Sequence, residues 1–223
     1  TMFNDIAGKY DFLNRFLSAG TDIGWRKKAL KQLESIDAKK LLDVATGTAD
    51  VAIMAAKQFK LTKIIGIDIS DGMLDVGRQK IVKANLQNTI ELLNGDSEAI
   101  NFPDNTFDAV TVAFGVRNFE DLEKGLSEIK RVLKPTGKLV VLEFSKPILP
   151  GVKTMYNLYM KIITPTVGKM ISKNKVAYAY LDESIQKFPE GKNFITILNN
   201  MGYTNTYSKK LSLGICSIYC GTK

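Results

Sequence analysis

The 223-residue chain contains no histidine. That excludes an imidazole general base, a histidine-based nucleophile set and any histidine metal ligand. It has two cysteines, Cys216 and Cys220, too few for the usual thiolate cage of a structural zinc. Placed four apart in a strand, they face the same side but lie too far apart to bridge, so reduced thiols and a cytosolic setting are expected. No apolar run approaches the ~18–20 residues that span a bilayer. The start, Thr1-Met2-Phe3-Asn4-Asp5, lacks a basic stretch followed by an apolar one, so no signal peptide is expected. Thr1 ahead of Met2 reads as a trimmed or tagged beginning. Proton transfer in such a chain must use Asp, Glu, Tyr or water.

The charge that is present is positive, +8 overall, but it is spread along the chain. Without dense basic clusters a nucleic-acid partner is not expected. One stretch is biased. Residues 151–180 hold Lys153, Lys161, Lys169, Lys173 and Lys175, no acid, and the apolar or aromatic Met155, Tyr156, Leu158, Tyr159, Met160, Ile162 and Ile163. Such a composition suits a helix lying on an anionic membrane surface. It equally suits a lid helix with a solvated lysine face, and composition leaves both open.

Apolar periodicity predicts helices over 2–36, then strand 39–44, helix 49–59, strand 63–68, helix 71–84, strand 90–94, strand 107–114, helix 120–133 and strand 137–144. Ser70-Asp71 reads as a helix cap, and Lys134-Pro135-Thr136-Gly137 as the stop between helix and strand. Residues 146–188, with Pro147, Pro150 and Pro165, read as a helical insertion or lid. A helix over 191–201 and strands near 203–208 and 213–220 close the chain. Alternating strands and helices predict a doubly wound, mostly parallel α/β sheet of seven strands whose last strand is antiparallel, in one domain spanning 1–223. This is the architecture of class I S-adenosylmethionine-dependent methyltransferases.

The most informative stretch is Asp43-Val-Ala-Thr-Gly-Thr-Ala-Asp50, a small-residue turn between a strand and a helix. The following strand ends in Asp68, about 25 residues after Asp43, where an acid can accept from both hydroxyls of a ribose. The turn lacks the third glycine of a dinucleotide fingerprint, and acids flank it on both sides. Asp43 and Asp50 repel a pyrophosphate and suit a cationic nucleoside such as S-adenosylmethionine. A nicotinamide enzyme and a turn without ligand remain as alternatives.

In an open α/β sheet the ligand lies beyond the carboxyl ends of the strands. That brings together 45–49, 68–73, 95–98 and 113–118. Gly47 and Thr48 fall at the turn, Thr48 either holding the amino-acid part of the ligand or capping the helix. Ile69 and Met73 are placed to sandwich an adenine. Asp96 and Ser97 are placed to meet its polar edge, although Asp96 also suits a turn. Gly115 permits a close backbone approach, and Arg117 can bind a substrate oxygen that gains negative charge, or else pair with a neighbouring acid.

Together these segments resemble a known family. Tyr10-Asp11-Phe12-Leu13-Asn14 with Leu17-Ser18 and Trp25, Phe114-Gly115-Val116-Arg117-Asn118, and Arg131-Val132-Leu133-Lys134-Pro135-Thr136-Gly137 resemble the hallmarks of the menaquinone/ubiquinone biosynthesis C-methyltransferases. Leu142-Glu143-Phe144-Ser145-Lys146-Pro147 and Ala179–Ile185 are similar to further family segments. The chain departs from the pattern at Asp22 (often His), Thr136 and Ala49 (usually Gly) and Ala113 (commonly Ser).

The resemblance implies methyl transfer from S-adenosylmethionine to a ring carbon of a polyprenylated quinol. The acceptor would be demethylmenaquinol, or a methoxy-benzoquinol on the ubiquinone route. It implies Arg117 as a stabiliser of the phenolate and Tyr10 as a residue orienting a proton-accepting water. A lipid-soluble substrate turns 151–180 towards membrane contact at the inner face, and a homodimer is compatible with it. A methyltransferase for a soluble small molecule and a non-catalytic cofactor-binding assembly module are the competing readings.

Overall fold

The structure, a computed structural model, describes residue 18, residues 20–147, residues 151 and 154, and residues 183–223. The expectations for Tyr10, for the first helical stretch up to residue 17 and for most of the insertion, including nearly all of 151–180, lie outside these residues.

Seven strands form one sheet: β1 (Lys40–Val44), β2 (Lys63–Asp68), β3 (Ile90–Asn94), β4 (Phe107–Ala113), β5 (Leu133–Phe144), β6 (Thr204–Leu211) and β7 (Cys216–Thr222). Their spatial order is β3-β2-β1-β4-β5-β7-β6. The first five are mutually parallel, and β7 runs antiparallel to both β5 and β6. The expected fold class is therefore the observed one.

The central strands are apolar on both faces, as a sheet covered on both sides requires. Successive residues go to opposite layers. Leu41, Ile64 and Val140 pack with Trp25, Leu30, Ala52, Leu74 and Ile81. Their neighbours Leu42, Ile65 and Val141 pack with Leu126, Ile129, Phe194 and Leu198. The first layer is built by α1 (Asp22–Leu30), α2 (Asp50–Gln58) and α3 (Asp71–Lys83), the second by α4 (Leu122–Val132) and α5 (Lys192–Asn200). Cys216 and Cys220 are buried free thiols on β7.

Helix starts follow local chemistry. The Ser70 hydroxyl accepts from the Met73 N–H, and the Asp121 carboxylate accepts from the Lys124 N–H. The residue before α2 is different: Ala49 is left-handed, with φ 65°, and makes no side-chain cap. Strand β5 begins at Leu133, four residues before the expected start, because Leu133 pairs with Phe107 before a bulge resets the register at Lys138. Within that bulge Thr136 has φ 65°.

Ala49 and Thr136 thus hold the same strained conformation at two places where the resembling family carries glycine. Their surroundings separate them. Thr136 is exposed, so Thr136→Gly relieves a left-handed β-branched residue and forfeits no packing; thermal melts should show a gain of about 0.5–1 kcal/mol. Ala49 is fully buried, so Ala49→Gly gives up roughly 0.8 kcal/mol of methyl burial against a similar relief, and the same melts should show almost no change.

Candidate active site

The carboxyl ends of β1, β2, β3 and β4 open into one crevice. Gly47, Asp68, Ile69, Met73, Asp96, Ser97, Gly115 and Asn118 are among its lining residues. Four residues expected to hold the cofactor, Gly47, Asp68, Asp96 and Ser97, therefore come together there.

Asp68 ends β2 and is fixed by backbone. Its Oδ2 accepts from the Gly47 N–H at 2.9 Å and its Oδ1 from the Ser70 N–H at 2.9 Å. These bonds tie the glycine turn to the start of α3 and aim the carboxylate into the crevice. Burial raises the pKa of Asp68, and the N–H groups of Ser70, Gly47 and Ile69 oppose the rise. Ile69 is 57% exposed at the crevice wall, whereas Met73 is buried. An exposed isoleucine beside an acid offers an apolar face for a flat ring. Asp96 makes the expected local turn, its Oδ1 accepting from the Glu98 N–H at 2.8 Å, and it also lines the crevice.

Beneath the turn Asp43 is buried. It accepts from the Thr46 and Thr111 hydroxyls, each at 2.6 Å. Burial raises its carboxyl to about 6, against those two hydroxyls and the charge of Arg26. A folded-state pKa above the unfolded value means that Asp43 supports folding fully below pH ~4 and withdraws that support as pH rises through about 6. At about 1.36 kcal/mol per tenfold change in acidity, the loss approaches 3 kcal/mol. Denaturation between pH 4.5 and 7 should show this slope, and Asp43→Asn should flatten it.

Asp50 does not act as the sequence reading expects. It pairs with Lys80, so its charge is largely neutralised and the repulsion of a phosphate falls to Asp43 and Asp68. Thr48 is buried and accepts from the same Lys80 ammonium at 3.1 Å. The helix-cap alternative for Thr48 is not observed, since the capping position is Ala49. Thr48 lines a smaller cavity with Arg26, Asp43, Thr46 and Asp50; this cavity shares Ala45, Gly47 and Ala113 with the main crevice. Gly115 serves the chain as well as any ligand: a Cβ there would lie 2.4 Å from the Ala45 Cβ, so the two crevice walls touch only because residue 115 has no side chain.

Arg117 lies in the 3₁₀ turn Val116–Asn118 after β4. Its Nη1 donates to Glu143 Oε1 at 2.7 Å and to the Phe114 carbonyl at 2.6 Å, and its Nε donates to the Ser184 hydroxyl at 3.3 Å. The Phe144 ring lies 5.6 Å from the guanidinium carbon. Both side chains of the pair are buried, at 6% and 0% exposure. The neighbouring-acid alternative is therefore realised by Glu143, and Nη2 has no hydrogen-bond partner among the described residues.

Arg26 and Asn118 are not among the residues expected from sequence to form the site. Asn118 stands in the Phe114–Asn118 signature, and Arg26 follows the signature tryptophan, so both had a sequence signal. Arg26 is 6% exposed and pairs with Asp22 one helical turn earlier. Among the described residues no group of three or more metal-ligating side chains occurs. No described helix is long and apolar enough to cross a membrane.

The donor set fits a cationic nucleoside. Asp43 and Asp68 present negative charge, and the turn carries no third glycine for a pyrophosphate. Comparison with known proteins agrees with this chemistry. A model of the ubiE/COQ5 methyltransferase family matches residues 1–223. The demethylmenaquinone methyltransferase of Bacteroides fragilis is 46% identical, covering 100% of this chain and 91% of that protein. The ubiquinone/menaquinone biosynthesis C-methyltransferase UbiE of Geobacter sulfurreducens is 43% identical, covering 100% and 87%. Among solved structures, a SAM-dependent methyltransferase from Aquifex aeolicus superposes with a TM-score of 0.61 at 22% identity, covering 88% of each chain. The phosphoethanolamine N-methyltransferase 2 of Haemonchus contortus, in complex with S-adenosyl-L-methionine, superposes with a TM-score of 0.66 at 16% identity, covering 89% of this chain and 52% of that one. At such identities the solved structures establish the fold alone.

Proposed function

The chain belongs to the ubiE/COQ5 methyltransferase family, and from that premise we propose that it methylates a ring carbon of a polyprenylated quinol, demethylmenaquinol to menaquinol, with S-adenosylmethionine as donor. The observation that carries the site reading is the Asp68 carboxylate, held by two backbone N–H groups in a crevice also lined by Phe114, Gly115 and Asn118, next to the turn that carries Arg117.

S-adenosylmethionine, when bound, supplies a methyl group made electrophilic by its sulfonium. The chain's residues do the rest. Asp68 takes the ribose hydroxyls, Ile69 and Met73 cover the adenine, and Asp96 and Ser97 meet its polar edge. Asp43 sets a negative potential beneath the turn. A quinol carbon attacks well only when its hydroxyl has lost a proton, and a phenol has a pKa of about 10 in water. Arg117 lowers that cost by facing the developing oxyanion through Nη2, while Glu143 holds Nη1. Arg117 stays charged and does not take the proton itself. Water oriented by Tyr10 takes it, and with no histidine in the chain no imidazole competes for the role.

The test is turnover with labelled S-adenosylmethionine against demethylmenaquinol, a methoxy-benzoquinol and soluble phenols, with products identified by mass. Methylated menaquinol is the expected product. Label only in a soluble phenol would overturn the substrate, and cofactor binding without any turnover would leave an assembly module.

A polyprenyl substrate is collected from a bilayer. The basic, acid-free segment 151–180 serves as the membrane contact, on the cytosolic side. At about 1 kcal/mol per lysine near an anionic surface, five lysines are ample for reversible binding. The protein should sediment with phosphatidylserine vesicles at low salt, release as salt rises, and fail to sediment when the five lysines are changed to glutamine.

A further inference from the structure

Arg26 sits between the core and the crevice, and its hydrogen bonding is incomplete. Nη1 donates to Asp22 Oδ2, and Asp22 is steadied in turn by the Ser18 hydroxyl at 3.0 Å. The Phe114 ring lies 5.4 Å from the guanidinium carbon. Nε is buried with no acceptor, the one such side-chain atom among the described residues. Nη2 also has no hydrogen-bond partner among them. A guanidinium this far from water ordinarily has its N–H groups satisfied.

The cavity Arg26 faces is small, polar and joined to the crevice at Ala45, Gly47 and Ala113. Its charged walls are Arg26, Asp43 and Asp50, and Asp50 is matched by Lys80. A positive fork thus faces a negative acid across one narrow space. The ligand that complements both is an α-amino-acid zwitterion, with its carboxylate on the guanidinium and its ammonium towards Asp43. Arg is suited to this role because its planar fork matches a carboxylate.

We infer that Arg26 binds the carboxylate of the donor's methionyl end, with Asp22 as the residue that positions it. The inference rests on the S-adenosylmethionine reading. It gives a purpose to the acid at position 22, where the resembling family often has histidine: a carboxylate one turn before Arg26 locks the fork with Nε and Nη2 turned to the ligand.

The experiment compares three ligands by calorimetry on the full chain: S-adenosylmethionine, its decarboxylated form, and 5′-methylthioadenosine. Wild type should bind S-adenosylmethionine at least 30-fold more tightly than the decarboxylated form. Arg26→Gln should bring the two within about threefold of each other and leave 5′-methylthioadenosine affinity unchanged. Because Arg26→Gln strands a buried Asp22, the pair Arg26→Gln with Asp22→Asn is measured beside it and should give the same pattern in a folded protein. A folded variant that keeps the wild-type preference overturns the role of Arg26. A wild type with no preference, yet binding 5′-methylthioadenosine, overturns the carboxylate site and leaves the cofactor reading standing. A wild type that binds none of the three overturns the cofactor reading as well.

Discussion

Asp68→Asn should weaken S-adenosylmethionine binding by two orders of magnitude or more and leave the melting temperature unchanged or raised. The loss comes from two charge-assisted bonds to the ribose diol, each worth roughly 1.5–3 kcal/mol when the acceptor is a carboxylate. An amide retains one acceptor oxygen and offers no charge. The stability half follows from the sign of the pKa shift. Burial raises the Asp68 carboxyl, so its support for folding is full below the unfolded pKa and is lost as pH rises through the folded one, and at neutral pH that support is gone. Removing the charge restores that support at the expense of one of the bonds to Gly47 or Ser70. Equilibrium dialysis and thermal melts on the same sample separate the two effects. A variant that binds normally would remove Asp68 from the site; one that binds weakly because it is unfolded would show it in the melt.

The second large effect concerns Arg117. Arg117→Ala leaves Glu143 fully buried without its cation, and breaking such a pair costs about 3–5 kcal/mol. In a chain of this length that lowers the melting temperature by roughly 10 °C. Lost turnover in this variant would therefore say little about chemistry. The informative variant is Arg117→Met with Glu143→Leu, which removes both charges and keeps the volume. It should recover most of the stability, since apolar replacement of a whole buried pair is commonly neutral or better. Its turnover should remain at least 100-fold down, the scale on which losing an oxyanion partner is felt. If the double variant works normally, Arg117 only anchors Glu143 and the phenolate is stabilised elsewhere.

The expected residues that do line the crevice share one property: they lie at or just past strand ends. Asp68 ends its strand and Asp96 and Ser97 lie just beyond theirs, after Asn94-Gly95, so period and punctuation place them at one edge of the sheet without knowledge of packing. What escaped depends on partners distant in sequence. Asp50 reads as a free acid until Lys80, thirty residues on, is seen beside it. For Arg117 a neighbouring acid is one of two expected partners, and only β5 shows that the acid is Glu143. Beyond its place after the signature tryptophan, nothing in the sequence sets Arg26 apart from the chain's other cations, and only the burial of α1 against the sheet reveals its enclosed pair with Asp22. Gly115 reads as room for a ligand, whereas the tighter demand on it comes from Ala45. The early start of β5 escaped because Pro135 and Thr136 look like a terminator; a left-handed residue inside a bulge lets the strand pass through them.

The proton on Asp43 has a further consequence for the catalytic cycle. A donor arrives carrying a sulfonium, and the methylated product leaves behind a thioether without that charge. With a donor bound, its positive charge would favour the ionised form of Asp43, and loss of that charge on methyl transfer would favour the protonated form. The acid under the turn thus behaves as a charge-compensating buffer. Preference for fresh donor over spent cofactor should therefore rise as pH passes through about 6, and product inhibition should depend on pH in the same range.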